Sequence, residues 1–248
     1  CHLLQKYSTR WGFQVKLTPR GCRNVGGDVA MVAEDLRKDF MDTFIPYGYK
    51  HFWPAGLQLL EAITAKVNAN LQNRLVVTNS FHGEPCALRA DITLGVVDYC
   101  ASHFEAHERP LRLCYTERIY RRPKSPDKNM ERLQMGAELI GWEGAGADVE
   151  LIGLLLAYLN KLNCPKIGIA LGDVSLIQRA IKYLPRAYAM SLLGCLEEGK
   201  MDEYARIARD LPPSPLSIFF EELPWLKGTA EILYRASRLL KGVEEAIE

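Results

Sequence analysis

Apolar residues first recur at helical spacing between Val29 and Phe44. Val29, Val32, Leu36, Phe40 and Phe44 step by threes and fours, the stripe of an amphipathic helix. Asp28 is its candidate N-cap, and the helix should stop before Pro46, because a residue preceding proline avoids helical dihedrals. Upstream, Gly12, Pro19, Gly21, Gly26 and Gly27 predict an irregular lead-in over residues 1–27. Tyr47 to Pro54 predicts a turn into a short aromatic strand that Pro54 ends, and Leu60, Ile63, Val67 and Leu71 predict a second helix. From Arg74 to Gly141 the period shortens. Leu75, Val76 and Val77 form a short β-rich run, and Gly83-Glu84-Pro85 a turn. Residues 86–92 read as extended, with Leu88, Ala90 and Ile92 alternating with Arg89 and Asp91. Residues 96–104 suit a helix, 111–121 a further strand and 123–129 a polar loop, while 132–140 is the clearest strand of the chain.

Asp148 is predicted to cap a helix that buries Val149, Ile152, Leu155, Leu159 and Leu162 and breaks at Pro165. Ile167, Ile169 and Leu171 alternate with Gly168 and Ala170, which predicts a buried strand. The remainder reads as helices over 174–184, 187–197, 201–210 and 229–247, separated by Pro185, Gly199, the Pro212-Pro213-Ser214-Pro215 break and Gly228. The organisation expected is a lead-in over 1–27, an α+β core over 28–172 and a helical portion over 173–248. The core should hold a mixed, mostly antiparallel sheet flanked by helices. No internal repeat or low-complexity tract is visible.

Composition narrows the function classes. The 248 residues are 48% hydrophobic and 25% charged, ordinary for a globular protein. No apolar run approaches the ~20 residues of a membrane span. The chain opens Cys1-His2-Leu3 with neither an apolar leader nor an initiator methionine, so Cys1 is expected not to be the gene's first residue. A net charge of +1 carries no basic excess for a polynucleotide, and Arg118 to Lys124 is too local a cluster to supply one. Seven scattered cysteines without a Cys-x-x-Cys read as reduced thiols of a cytosolic protein. The five histidines are scattered apart from His103 and His107, and no third histidine is spaced to join that pair, so no metal is expected. There is no Gly-x-Gly-x-x-Gly and no phosphate-binding loop; the glycine-spaced stretch from Gly168 to Gly172 lacks the lysine and hydroxyl such a loop needs. Cys114 and His107 supply the residue types of a nucleophile and a base, but no spacing pairs them.

The chemistry worth following lies on the strand beginning at Arg132. Alternate side chains face opposite sides, so Leu133, Met135, Ala137 and Leu139 belong against helices. The other face shows Arg132, Gln134, Gly136 and Glu138. It is either a solvated face, the usual fate of alternating polar residues, or the floor of a polar pocket, in which Gly136 leaves space for a ligand. Arg89, Asp91 and Thr93 share parity on one neighbouring stretch, and Tyr115, Glu117, Ile119 and Arg121 on another. Together these strands offer the carboxylates of Asp91 and Glu138, the guanidinium of Arg121 and the neutral groups of Thr93 and Gln134. A free amino acid needs such a set, with carboxylates for its ammonium and an arginine fork for its carboxylate.

Six strings in order carry a resemblance. They are Thr18-Pro-Arg-Gly, Tyr47-Gly-Tyr with Pro54, Leu88-Arg-Ala-Asp-Ile-Thr93, Tyr115 to Arg121, Glu131-Arg-Leu-Gln-Met-Gly-Ala-Glu-Leu-Ile-Gly141, and Asp148-Val-Glu150. In this order they resemble the histidyl-tRNA synthetase family of class II synthetases over residues 18–172, with a looser fit beyond that includes the string at residues 223–228. The resemblance implies a class II synthetase-like, mostly antiparallel sheet flanked by helices, with a helical C-terminal portion. It puts Pro54 at the proline of the family's dimer motif, and hence near a self-association surface. It puts Arg121 at the arginine of the second class II motif, and Asp91, Thr93, Gln134 and Glu138 at positions that hold histidine.

Three departures matter. The family stacks an aromatic on adenine where this chain has Arg132, and the loop before it lacks the glycine–arginine pattern of the enzymes. The sequence stops at Glu248, before the family's Tyr-Tyr segment, glycine-rich strand, third class II motif and anticodon-binding domain. The expectation is therefore no aminoacylation. The chain is more similar to the non-catalytic branch, the regulatory subunits of ATP phosphoribosyltransferase. That resemblance implies a cytoplasmic protein without a cofactor, partnered by the short-form catalytic subunit, self-associating, with no membrane or nucleic-acid partner. Histidine would be its effector, bound either in the synthetase-like pocket or at the subunit boundary. A histidyl-tRNA synthetase fragment and a stand-alone amino-acid-binding protein are the alternatives.

Overall fold

The computed structural model describes residues 17–105, 108–125, 128–164, 166–172 and 174–245. The chain divides into two units, one ending at Ile167 and the other beginning at Gly168.

The first unit opens with helix α1 (Asp28–Phe44). Its N-cap is Gly27 at φ 60°, so the predicted Asp28 cap lies one residue inside the helix. There the carboxylate still meets the positive end of the helix dipole without capping it. Pro46 falls in a single 3-10 turn, Ile45–Tyr47, where its missing N–H costs no hydrogen bond. Gly48, in the left-handed region at φ 86°, then turns the chain into β1 (Lys50–His51). Only the C-terminal half of the α1 stripe is buried. Phe40 and Phe44 pack with Tyr49, Cys114, Leu154 and Tyr158, whereas Val29 is 63% and Val32 57% exposed.

β2 (Leu57–Leu59) leads into α2 (Leu60–Thr64) and α3 (Ala69–Gln72), two short helices where one was predicted. The break has a local cause. Asn68 turns its side chain onto the Leu71 N–H at 3.0 Å, recapping the chain rather than continuing the helix. The Gln72 amide donates to the carbonyls of Thr64 (2.7 Å) and Val67 (2.9 Å), which the break leaves open. The apolar spacing survives the interruption, because Leu60, Ile63, Val67 and Leu71 still meet one core with Leu75, Ala87 and Ala90.

β3 (Val76–Asn79) and β4 (Pro85–Leu88) complete an antiparallel sheet of order β2-β4-β3. The extended stretch predicted through Ile92 ends at Leu88, and helix α4 (Thr93–His103) begins earlier than predicted. The second sheet has order β1-β5-β6, with β1 parallel to β5 (Leu111–Tyr120) and β5 antiparallel to β6 (Glu131–Ile140). α5 (Ala145–Lys161) starts after Gly144 at φ 92°, so Asp148 occupies its first turn and is not its cap. The Leu133–Leu139 face of β6 meets helices as predicted, Met135 and Ala137 packing into the α1–α5 core. The opposite face is not an open wet surface. α4 crosses it, burying Ile92, Val96 and Cys100 against Leu113, Tyr115 and Ile119.

The predicted strand at 167–171 does not form. These residues join no sheet, and Leu171 is 77% exposed. Alternation proposes a strand, but burial needs a neighbouring strand to pair with, and among the described residues none pairs with this stretch. Pro165 lies outside the described residues.

The second unit is helical: α6 (Val174–Ile181), α7 (Arg186–Glu198), α8 (Met201–Arg209), α9 (Pro215–Glu222) and α10 (Glu231–Glu245). α7 closes on Gly199 in the left-handed region. The proline-rich break proves to be a helix start as well. Ser214 and Ser217 form a reciprocal capping box, with Pro215 at the first position of α9. The core of this unit is Leu192, Tyr204, Phe219, Phe220 and Val243, and the Tyr204 hydroxyl donates to the Phe220 carbonyl at 2.9 Å.

Candidate functional site

The β5–β6 register decides what faces α4. Leu113 pairs with Glu138, Tyr115 with Gly136, Glu117 with Gln134 and Ile119 with Arg132. Directly opposed residues share a face, so Tyr115 stands beside the one position of β6 that lacks a side chain. Its ring lies across Gly136, and a Cβ at residue 136 would collide with the phenol oxygen. The space predicted above Gly136 is thus filled, by the side chain of Tyr115.

The predicted site residues form one connected set. Arg121 donates from Nη2 to Asp91 Oδ2 at 3.0 Å and from Nε to the Ala90 carbonyl at 2.7 Å. The other Asp91 oxygen accepts the Thr93 N–H at 2.9 Å, holding the first turn of α4. Thr93 Oγ1 donates to Glu138 Oε1 at 2.8 Å, and the same oxygen accepts the Tyr115 hydroxyl at 3.2 Å. Gln134 Nε2 reaches back to the Tyr115 oxygen at 3.4 Å. Asp91 and Thr93 do not arrive on a strand adjacent to β5 and β6, as their parity predicted. They arrive from the loop after β4 and from the start of α4.

Two features of this set are electrostatically informative. Tyr115 is 2% exposed, and burial, reinforced by the Glu138 charge, pushes its phenol well above the ordinary range, so it stays a neutral donor. Gln134 Oε1 is buried and accepts no hydrogen bond. Such an orphan costs about 1–3 kcal/mol, so a ligand able to donate to it would gain by doing so.

At the other end, Arg121 reaches a recess of about 380 Å³ that Arg74, Asn68 and Asn70 also line. Burial lowers the Arg74 pKa, and the charges of Arg121 and Arg132 lower it further, so three guanidinium groups influence one another here. Arg132 itself lines a separate groove of about 350 Å³ with Arg118 and Val29.

Tyr115 was legible as a strand residue but not as a member of the site; its pairing with Gly136 follows only from the register. Arg89 was grouped by parity with Asp91, yet it pairs with Glu117 at 2.9 Å and donates to the Pro54 carbonyl at 2.9 Å. Pro54 is buried beside the exposed Trp53. Glu150 locks α5 to the sheet through a two-pronged pair with Arg112 (2.8 and 2.9 Å) and the Tyr49 hydroxyl (3.0 Å). Burial pushes the Cys114 thiol up to about 11, which suits a packing residue and not a nucleophile. His107 lies outside the described residues. Among the described residues, no group of three or more His, Cys, Asp or Glu side chains is placed to hold a metal, and no helix is long and apolar enough to cross a membrane.

The fold defines a class: an α+β protein built like a class II synthetase. The histidyl-tRNA synthetase of Nostoc sp. PCC 7120 shares that fold over 92% of this chain and 57% of its own, with a TM-score of 0.61 at 15% identity. A family model described as Histidyl-tRNA synthetase matches residues 21–248, and the chain belongs to that family. Within it, a curated relative from Cupriavidus metallidurans is 30% identical over 241 residues, 94% of this chain and 60% of its own length. One from Pseudomonas fluorescens is 29% identical over 235 residues, 93% of this chain and 59% of its own. Both are named ATP phosphoribosyltransferase regulatory subunit. A solved Bacillus halodurans protein, titled ATP phosphoribosyltransferase regulatory subunit/histidyl-tRNA synthetase, matches with a TM-score of 0.82 at 25% identity over 92% of this chain and 60% of its own. The chain thus spans about three-fifths of the length of the curated relatives it matches.

Proposed function

We propose that this chain is the synthetase-like part of a non-catalytic regulatory subunit of ATP phosphoribosyltransferase. It acts in the cytoplasm with the short-form catalytic subunit at the first step of histidine biosynthesis. The observation that carries this reading is the name shared by the curated relatives along nearly the whole chain. Arg132 at the adenine-stacking position of the family supports it, because it marks a cradle without the means to adenylate its ligand. Histidine is the effector, held in the cradle of Asp91, Thr93, Arg121, Gln134 and Glu138. The subunit self-associates on the side bearing Pro54 and Trp53, where the buried Pro54 sets the course of the backbone. Regulation is linkage: histidine binds one state of the assembly more tightly, with a coupling on the order of 1–3 kcal/mol that must be reciprocal. The test is co-purification with a short-form ATP phosphoribosyltransferase and stimulation of its activity. Absence of any stimulation across all subunit ratios removes the reading.

A second reading is a shortened histidyl-tRNA synthetase, favoured by the family to which the chain belongs. A histidine-dependent exchange between ATP and pyrophosphate by the full-length protein would favour it; Arg132 predicts no exchange.

A further inference from the structure

The centre of the cradle is occupied by its own protein, and this has a consequence for what it admits. The Tyr115 hydroxyl donates to Glu138 Oε1 at 3.2 Å, its oxygen faces Gln134 Nε2 at 3.4 Å, and its ring fills the space above Gly136. Gln134 Oε1 meanwhile accepts nothing. The phenol therefore satisfies part of the polar set and leaves one acceptor unserved. We propose that Tyr115 holds the place of the ligand's polar head and sets specificity by having to be displaced. To move it, a ligand must return a donor to Glu138 and add one to Gln134 Oε1. That requirement selects a cationic head with at least two N–H donors, an ammonium or an imidazolium, and rejects apolar or anionic heads that would strip Glu138 of a donor and return none.

The inference rests on the cradle reading above, and its sign differs from that of an ordinary contact residue. A group that bonds Glu138 only in the empty state competes with the ligand, so deleting its hydroxyl raises affinity. A group that touches the bound ligand lowers affinity when deleted. Tyr115→Phe keeps the ring over Gly136 and removes only the hydroxyl, so the fold is retained.

The experiment is calorimetry with L-histidine on the full chain, comparing wild type, Tyr115→Phe, Glu138→Gln and the double variant. A second readout uses 3-fluorotyrosine placed at residue 115 and followed by fluorine NMR. The expected result is binding about tenfold tighter in Tyr115→Phe (~1.4 kcal/mol), binding lost with Glu138→Gln in either background, and a fluorine resonance that moves on ligand addition. Glu138-dependent binding that is equal or weaker in Tyr115→Phe, or a fluorine resonance unmoved while histidine binds, overturns the role of Tyr115 and leaves the cradle standing. Binding that ignores Glu138→Gln, or no binding in any variant, overturns the cradle and the inference with it.

Discussion

Glu150 shows how one side chain can tie elements far apart in sequence. It accepts from Arg112 on β5 and Tyr49 beside β1 while riding on α5. Its hydrogen bonds to Arg112 hold its carboxyl below the usual carboxylate range. A carboxyl depressed in the folded state adds stability above its unfolded pKa and loses that increment as pH falls through the folded pKa. Glu150→Gln should therefore lower the unfolding free energy near neutral pH by about 1.5–3 kcal/mol, the worth of hydrogen bonds to a charged group. The gap from wild type should shrink in acid. Urea titrations at several pH values check this, and a gap that stays constant from neutral pH down to pH 3 refutes the assignment. Tyr115 and Gln134 belong to the same scale. Their roles are set by which atoms they meet across the ladder, and neither residue type announces that in advance.

Among elements, the two kinds of glycine are instructive. Gly136 lies beneath the Tyr115 ring, so Gly136→Ala should expel that ring or strain the strand and cost about 1–3 kcal/mol. Gly194 sits inside α7 with nothing within 4 Å of a built Cβ. There alanine should raise the melting temperature, by an amount worth about 0.5–1 kcal/mol, because it removes freedom from the unfolded chain and meets no obstacle. Thermal melts of the two variants should thus move in opposite directions; a shared direction would show that close approach at Gly136 is unimportant. The α9 capping box allows a parallel check. Ser214→Ala removes the side chain that accepts the Ser217 N–H at 3.2 Å and should cost about 1 kcal/mol. This start was readable as punctuation in the sequence, since Ser-Pro before an apolar run is a helix-opening signal, but the prolines around it weighed toward a break.

At the scale of the whole molecule, each unit has its own core: aromatic and sheet-based in the first, built on Tyr204, Phe219 and Phe220 in the second. The residues at their junction, 166–172, form no helix or strand, and Ile169 and Leu171 are exposed. Exposed segments without backbone pairing are preferred sites of nicking. Brief thermolysin treatment should therefore cut within 166–172 before it cuts β5 or β6, as mass spectrometry of the fragments will show. Early fragments ending inside the β5–β6 hairpin would contradict the continuous pairing of these two strands.

The periodicities of the chain determined much by themselves: the helices α1, α5, α6, α7, α8 and α10, the long strands β5 and β6, and which face of β6 meets α1 and α5. Those features follow from local propensity and from the repeat of apolar side chains, both of which are properties of neighbours in sequence. Strand parity groups Asp91, Thr93, Arg121, Gln134 and Glu138, and the resemblance implies the same set. Tertiary structure alone decided that α4 covers the polar face of β6, that Tyr115 fills the space over Gly136, that Asp91 and Thr93 approach from a loop and a helix start, and that residues 167–171 find no strand partner. Each of these depends on register or on a partner distant along the chain, and a one-residue slip in register would place a different side chain opposite Gly136.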